Sequence, residues 1–401
     1  MKKLLFLMIV TVLALFGCSN SETTSEPASS NDSGADTNET STSETIKVGA
    51  LYNVTGGQAS LDEPSLAGFQ LAAEEINANG GINGKQIEVV SIDSKSDPST
   101  ATNGVQELIE VEKVVAISGF SDTTFALTAG PLAQEAGIPF VTSGATSPLI
   151  PDQVGDFMFM AAFGDNVQSA AIADYSVNEL GAKSAWILTD TSSDFTLGLA
   201  KYFKDRFNSI GGKVVLEDEY DGAADVDFSA QITRLKELKE QPDVLMVSAQ
   251  PDKAGIVVKQ IRDMGITTPI VSGDGFDTPQ LIEMGGVPQS NDVYFATHVS
   301  LENPEEIVQN FVKAYEEKTG NYPENGFAAL GYDAMYLIAD AIERAGSEDP
   351  QAIRDALAET DALKLVTGEV TYGDSHVPTK SVTILGVEDG KFVFKDTVLP
   401  E

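Results

Sequence analysis

Along most of this chain, short apolar runs alternate with longer stretches in which apolar residues recur every three or four positions. The short runs read as buried strands and the longer stretches as amphipathic helices. Ile46–Tyr52 is the first strand. A helix over 64–79 follows, with Leu66, Phe69, Ala73 and Ile76 on one face and Gly80-Gly81 as its stop. The same rhythm predicts strands over 86–92, 114–118, Phe140–Thr142, 158–163, 184–189, Lys213–Tyr220, Val244–Ser248, Ile270–Ser272 and Val293–Thr297. Helices fall over 99–111, 125–136, 165–180, 195–210, 228–239, 252–264, 304–319 and 326–345, with a short one from Pro350. Strands over 369–372, 381–387 and 391–394 close the chain.

Such alternation argues for an α/β fold with parallel sheets covered on both faces. Two blocks of strand–helix units with a helix-rich return imply two similar lobes. Crossings between them are expected near Phe163-Gly164, Thr297-His298 and Lys380-Ser381.

In an open parallel sheet, ligands sit beyond the carboxyl ends of the strands, where helix N-termini offer unpaired N–H groups. Residues 116–151 place two such turns close together. Gly119-Phe120-Ser121-Asp122-Thr123-Thr124 follows one strand, and Ser143-Gly144-Ala145-Thr146 follows the next. Thr123 or Thr124 would cap the following helix, and the amides there favour an anion by roughly 0.3–1 kcal/mol when exposed. A carboxylate suits that place. The same turns also end ordinary α/β strands, where a capping Thr only caps.

Charge narrows the partners. With 61 acidic against 25 basic residues, the net charge of −36 repels phosphate backbones, so nucleic-acid binding is not expected. Lys2-Lys3 and the apolar run 4–16 end in Leu15-Phe16-Gly17-Cys18. That run is shorter than the ~20 residues a membrane span needs and reads as an export signal. It resembles a bacterial lipoprotein signal in which Cys18 is lipidated; a plain secretory signal with an incidental cysteine is the alternative. Cys18 is the single cysteine, which excludes disulfides and cysteine catalysis from the folded part. Residues 19–45, rich in Ser, Thr, Glu, Asp and Asn, read as a flexible tether.

From Ile46 onward the residues carry a family likeness. Residues 68–85 spell G-x-x-L-A-x-x-x-I-N-x-x-G-G-I-x-G-K, and Asp93 precedes Asp97-Pro98. P-L-A-x-E-A-G-I-P (131–139), G-A-T-x-P (144–148), D-x-S-S-D-F (190–195), D-F-S-A-Q-I-T-R-L-K (227–236) and G-Y-D-A (331–334) follow in order. In this order and spacing the chain resembles the leucine/isoleucine/valine-binding proteins of ABC importers, over nearly all of 46–394. The resemblance implies the type I periplasmic-binding-protein fold, two Rossmann-like lobes with parallel-sheet cores and a three-strand hinge. Lobe 1 would be 46–163 plus 298–380 and lobe 2 would be 164–297 plus 381–401, after a signal peptide (1–18) and tether (19–45). It further implies a solute-binding lipoprotein, not an enzyme and without cofactor or metal. The protein would be a monomer anchored outside the cytoplasm of a bacterial cell, handing an amino acid to a permease and its ATPase.

In relatives, the hydroxyl after the first lobe's strand and the G-A-T turn grip the ligand's α-carboxylate and help hold its ammonium. Here those positions are Thr123, Gly144 (through its backbone) and Thr146, with Asp122, Thr124 and Ala145 beside them. The acidic residue that binds the ammonium in relatives falls on Asp274, in Ser272-Gly273-Asp274-Gly275-Phe276-Asp277; a plain turn acid is the alternative. A zwitterion taken out of water needs both charges paired, which a two-sided cleft can do. Asp122 could be a second ammonium partner or a helix cap, and Asp277 is expected to cap a helix at Thr278-Pro279. Where relatives carry cleft tyrosines, this chain has Leu61 and Phe195, and Ala249-Gln250 stands where another aromatic is common. The side-chain pocket is therefore expected to be apolar and to suit a branched-chain or aliphatic amino acid. Other amino acids, amides, urea and aromatic acids remain open.

Neither G-x-G-x-x-G after the first strand nor G-x-x-x-x-G-K-[ST] occurs, so no nucleotide site is signalled. His298 and His376 lack ligand-spaced partners and are expected at the surface or a hinge. Ser143 and Ser192 lack a nucleophile-elbow context. Trp186 and the 330–342 stripe read as core. A sensory input domain or an amidase-like enzyme on the same lobes is the competing class. The tether and lipidated end, with no membrane helix before Glu401, favour transport.

Overall fold

A computed structural model describes residues 45–399; the expected signal with Cys18, and all but the last residue of the tether, lie outside them. Five parallel strands form the first sheet: β1 (Ile46–Tyr52), β2 (Ile87–Asp93), β3 (Ala116–Gly119), β4 (Phe140–Thr142) and β5 (Met158–Met160), in the order β2-β1-β3-β4-β5. The second sheet holds β6 (Ser184–Asp190), β7 (Lys213–Tyr220), β8 (Val244–Ser248), β9 (Ile270–Ser272) and β10 (Val293–Thr297). After a two-stranded hairpin, β11 (Leu363–Leu365) and β12 (Gly368–Val370), the last strands β13 (Val382–Glu388) and β14 (Lys391–Val398) join that second sheet antiparallel. Its order is β14-β13-β10-β9-β8-β6-β7. The chain thus leaves the first sheet after β5, returns to pack against it after β10, and enters the second again at β13.

The helices are α1 (Ala59–Ala78), α2 (Pro98–Glu107), α3 (Thr123–Ala136), α4 (Ile150–Val154), α5 (Asp165–Asn178), α6 (Asp194–Ser209), α7 (Ser229–Lys236), α8 (Pro251–Asp263), α9 (Gln280–Gly285), α10 (Glu306–Thr319), α11 (Phe327–Ala345) and α12 (Pro350–Ala358). Strand alternation sorts them into layers. Val48, Ala50 and Tyr52 of β1 cluster with Phe69 of α1 and Leu337, Ile338 and Ile342 of α11, while Leu51 clusters with Ala101, Val105 and Ala129 on the opposite face. In β6, Trp186 and Leu188 pack with Ile232, Val258 and Ile261, whereas Ala185 and Ile187 pack with Ile172, Leu199 and Phe203. The inner strands of both sheets are buried on both sides, which is why they read as continuous apolar runs, whereas the edge strands β2, β7 and β14 are partly exposed.

Helix α1 starts five residues before the predicted position, with Pro64 inside it. Pro64 has no N–H for the Ser60 carbonyl, and Asn325 Nδ2 satisfies that carbonyl instead at 2.8 Å. Asp62 fixes the same turn by accepting from the Asn53 and Ser121 amides, each at 2.8 Å. Further along, α1 and α11 touch backbone to backbone. A Cβ at Gly68 would lie 2.0 Å from the Ala328 carbonyl oxygen, and one at Gly331 would lie 1.8 Å from that of Ser65. The segment predicted as one helix over 99–111 ends in a wider turn at Leu108–Glu112. The short elements α4 and β11 were not expected. Among the described residues, no helix is long and apolar enough to cross a membrane.

Candidate functional site

The carboxyl ends of β3 and β4 in one sheet meet those of β6, β8 and β9 in the other. After β3 the chain turns through Phe120, a buried residue at φ +58°, outside the usual range for a bulky side chain. Its carbonyl accepts from Thr142 Oγ1 (2.8 Å) and from the Gly144 amide (3.2 Å), locking the two turns of the first sheet together. Asp122, not Thr123 or Thr124, caps α3: its Oδ1 accepts from the Thr124 amide at 2.9 Å. A carboxylate accepts that bond more strongly than a hydroxyl would. Its Oδ2 receives Gln250 Nε2 at 2.8 Å and Ser193 Oγ at 3.3 Å, from the starts of α8 and α6. Gln58 Nε2 continues the chain to Gln250 Oε1 at 3.0 Å. Burial pushes the Asp122 carboxyl up, against the pull of these donors.

Thr123 Oγ1 accepts from the Ser147 amide at 3.3 Å, tying α3 to the Gly144-Ala145-Thr146 turn. The Gly144 amide, expected to face a ligand, is spent on Phe120. A Cβ there would meet the Phe327 ring at 2.7 Å and Ser121 Oγ at 3.0 Å, so only glycine fits. Ala145 and Thr146 are buried, and the Thr146 carbonyl accepts from the Asp165 amide at 2.6 Å. Ser121 Oγ and Thr124 Oγ1 are buried and, among the described residues, have no hydrogen-bond partner. They lie close enough to Asp62 and Asp122 to favour those carboxylates' charged forms, without lining up on them as hydrogen bonds.

Asp274 is buried, opening a single helical turn over Asp274–Phe276. Its Oδ1 receives Gln168 Nε2 at 3.0 Å, and its amide donates to Gln168 Oε1 at the same distance. Its Oδ2 lies 2.9 Å from His298 Nε2. Gln168 Nε2 also reaches Asp165 Oδ1 at 2.8 Å, while Asp165 Oδ2 has no partner among the described residues. Burial and then the charge on Asp274 push the Asp165 carboxyl up to about 8, against hydrogen bonding from Thr146 and Gln168. His298, expected at the surface or a hinge, is buried on Asp274 directly after β10, where the chain crosses back toward the first sheet. One expectation is corrected here: Asp277 does not cap α9. Its Oδ2 accepts from Thr297 Oγ1 (2.6 Å) and from the Gly326 amide at the start of α11 (3.0 Å), because the chain's return after β10 brings those donors closer than the α9 amides. His376, likewise expected at the surface or a hinge, is buried and stacked on Phe159 at 4.1 Å.

An apolar side completes the junction. Leu61 clusters with Ala162, Phe327 and Leu330. The Phe195 ring lies against Gly275, where a Cβ would stand 3.1 Å from it. The structure therefore links Asp122, Thr123, Thr124, the Gly144-Ala145-Thr146 turn, Gln250 and the α6 start bearing Phe195, and sets Asp274 beside Asp165. Leu61 enters through Phe327, which meets Gly144. Asp165, Gln168, Ser193 and His298 are the residues that sequence reasoning missed. Gly164-Asp165-Asn166 carried a signal, a strand-end acid like Asp122, and was read only as a helix start. A cavity of about 550 Å³ lined by Asp277, Ile282, Leu301, Tyr322, Asn325 and Phe392 lies beside this junction and holds none of the predicted residues. Among the described residues no group of three or more His, Cys, Asp or Glu is arranged to hold a metal ion.

Two α/β halves that meet at their strand ends, with buried hydroxyls and carboxyls at the junction, are matched by known proteins. A family model described as periplasmic binding protein matches residues 45–391. The chain belongs to that family. Its fold superposes on a leucine-binding protein LivK from Thermotoga maritima with a TM-score of 0.83 and 32% identity, covering 89% of this chain and 99% of that one. For the branched-chain amino acid transporter substrate-binding protein LivJ from Streptococcus pneumoniae, in complex with isoleucine, the values are 0.82, 32%, 88% and 99%. An amino acid binding protein from Pseudomonas aeruginosa is 29% identical over 307 residues, 76% of this chain and 80% of its own. The fold of this binding protein is thus the type I periplasmic-binding-protein fold, and its role is solute binding.

Proposed function

We propose that this protein binds an aliphatic, branched-chain L-amino acid between two lobes, 46–163 with 298–380 and 164–297 with 381–401, and delivers it to an ABC permease. The observation that supports this reading is the set of buried polar groups at the junction, hydroxyls beside Asp122 on the first sheet's turn and Asp274 on the second sheet's. Ser121 Oγ and Thr124 Oγ1 are unpartnered hydroxyls on the first sheet's turn, suited to a carboxylate. Asp274, in the turn after β9, presents a carboxylate suited to an ammonium, beside the Asp165 carboxyl that burial raises to about 8. Leu61, Phe195 and Phe327 give the aliphatic part an apolar wall. Thr123, Gly144, Ala145 and Thr146 shape the carboxylate end, and Asp122 with Gln250 holds the halves together around it. Cys18 is the lipid attachment point, and the protein works outside the cytoplasm as a membrane-anchored monomer.

A thermal-shift screen of the twenty amino acids on the full-length chain tests the ligand. Stabilisation by leucine, isoleucine or valine is expected, since a ligand at a hundredfold over Kd adds about 2.7 kcal/mol. Failure of all twenty to raise the melting temperature would overturn the assignment.

A further inference from the structure

His298 is more than a neighbour of Asp274. A carboxylate oxygen can only accept, so the 2.9 Å contact assigns the imidazole proton to Nε2. Nδ1 is buried and has no partner among the described residues, so a second proton there would meet no acceptor from them. The ring is held flat on Phe163 at 4.2 Å and against the edge of Phe327 at 5.5 Å, which leaves it little freedom to turn away. Gln168 holds the other Asp274 oxygen. Asp274 is therefore aimed by two neutral donors, neither of which cancels its charge.

The charged groups around this pair are few and identifiable. Asp165 faces Asp274 across Gln168, with Asp122 beyond it, and Asp277 lies in the same turn as Asp274. From the side of α11 and β12, Lys380 donates to Thr367 Oγ1 (2.5 Å) and to the Ala161 carbonyl (2.9 Å), while Thr367 donates to Asp333 Oδ2 at 2.6 Å. Burial holds the His298 imidazole below its ordinary value; Asp274 and Asp333 oppose this, and Lys380 adds to it. The ring is neutral at pH 7 and gains its proton only in acid.

We propose that His298 is the positioning residue for ammonium recognition: neutral, it aims Asp274 at the ligand, and as imidazolium it competes with the ligand for that carboxylate, so the amino acid is released in acid. This rests on the reading of the site as an amino-acid cleft with Asp274 at the ammonium end. The imidazolium both cancels the Asp274 charge and repels the ligand's ammonium.

The test is calorimetric titration of L-leucine into the full-length protein and into His298→Gln and His298→Asn at pH 7.5 and 5.0. Wild-type Kd is expected to rise at least fivefold at pH 5.0, and that of a folded variant less than twofold. A second readout needs no variant at position 298. The chain has two histidines, His298 and His376, so His376→Gln assigns the two imidazole signals by NMR. By linkage, saturation with leucine must lower the His298 titration midpoint. Leucine binding with the same pH dependence in wild type and variants, or a His298 midpoint that leucine leaves unmoved, overturns the proposal alone. Absence of leucine binding at both pH values overturns it together with the ligand reading.

Discussion

Gln250 Nε2 donates to Asp122 Oδ2 at 2.8 Å, joining the residue before α8 on the second sheet to the cap of α3 on the first. A neutral amide on a buried carboxylate contributes more than an ordinary hydrogen bond, about 1.5–3 kcal/mol. In an open arrangement both groups would meet water instead. If the proposed lobes hinge apart, the pair would favour their closed form by a fraction of that amount. Gln250→Ala is expected to weaken leucine binding three- to tenfold while changing the melting temperature of the ligand-free protein little. Small-angle scattering of that ligand-free variant should show a larger radius of gyration than wild type; an unchanged radius and affinity would show the contact to be incidental.

Asp165 should make stability depend on pH. Its folded carboxyl sits at about 8, above the ordinary 3.8, so its stabilising contribution is full below pH 3.8 and is lost as pH rises toward 8. Asn at this position keeps the shape and cannot ionise. Asp165→Asn is expected to gain stability over wild type as pH rises, with the difference growing by on the order of 4 kcal/mol between pH 5 and pH 8.5. Urea unfolding at the two pH values measures it. A difference independent of pH would mean the carboxyl is already ionised in the folded protein.

What the sequence made legible and what it hid divide along contact distance. β4, β8 and β9 fall where expected because strands buried on both faces announce themselves as apolar runs. The start of α1 did not, because the carbonyl that Pro64 leaves unpaired is satisfied by Asn325, 265 residues away. Asp277 was assigned to the nearest helix, yet its partner is the Gly326 amide 49 residues on. In the candidate site, Asp122 and Asp274 were visible as acids in strand-end turns. Their neighbours Gln168 and His298 were not, since each matters only through a residue on another element. The strand-end turns are local; the charge balance among Asp122, Asp165 and Asp274 is not.

The two threonines after Asp122 should separate binding from folding. Thr124 Oγ1 is buried without a partner, so Thr124→Ala removes no intramolecular bond and should leave stability within about 0.5 kcal/mol. If that hydroxyl serves the ligand's carboxylate, leucine affinity falls about tenfold, or ~1.4 kcal/mol. Thr123 Oγ1 accepts from the Ser147 amide, so Thr123→Ala should cost about 1 kcal/mol of stability as well as a similar loss of affinity. Paired calorimetry and thermal unfolding check both, and unchanged affinity in Thr124→Ala would remove that hydroxyl from the carboxylate end.

The crossing of α1 and α11 offers a sharper contrast. Gly331 lies so close to α1 that an added methyl would fall 1.8 Å from the Ser65 carbonyl oxygen, a backbone atom that cannot turn aside. The helices would have to separate, breaking the packing of Phe69 and Leu337 that covers one face of the first sheet. Overpacking of this kind costs 1–3 kcal/mol and sometimes more, and a rigid backbone neighbour puts Gly331→Ala at the upper end, about 3 kcal/mol. Gly373, with nothing within 4 Å of an added Cβ, is the control and should change stability by less than about 0.5 kcal/mol. Because α1 also carries Leu61 and the Asp62 bond to the Ser121 amide, separation of the helices should reach the site. Leucine affinity in Gly331→Ala is therefore expected to fall along with denaturant stability, and a variant destabilised with full affinity would show that the crossing and the cleft are mechanically independent.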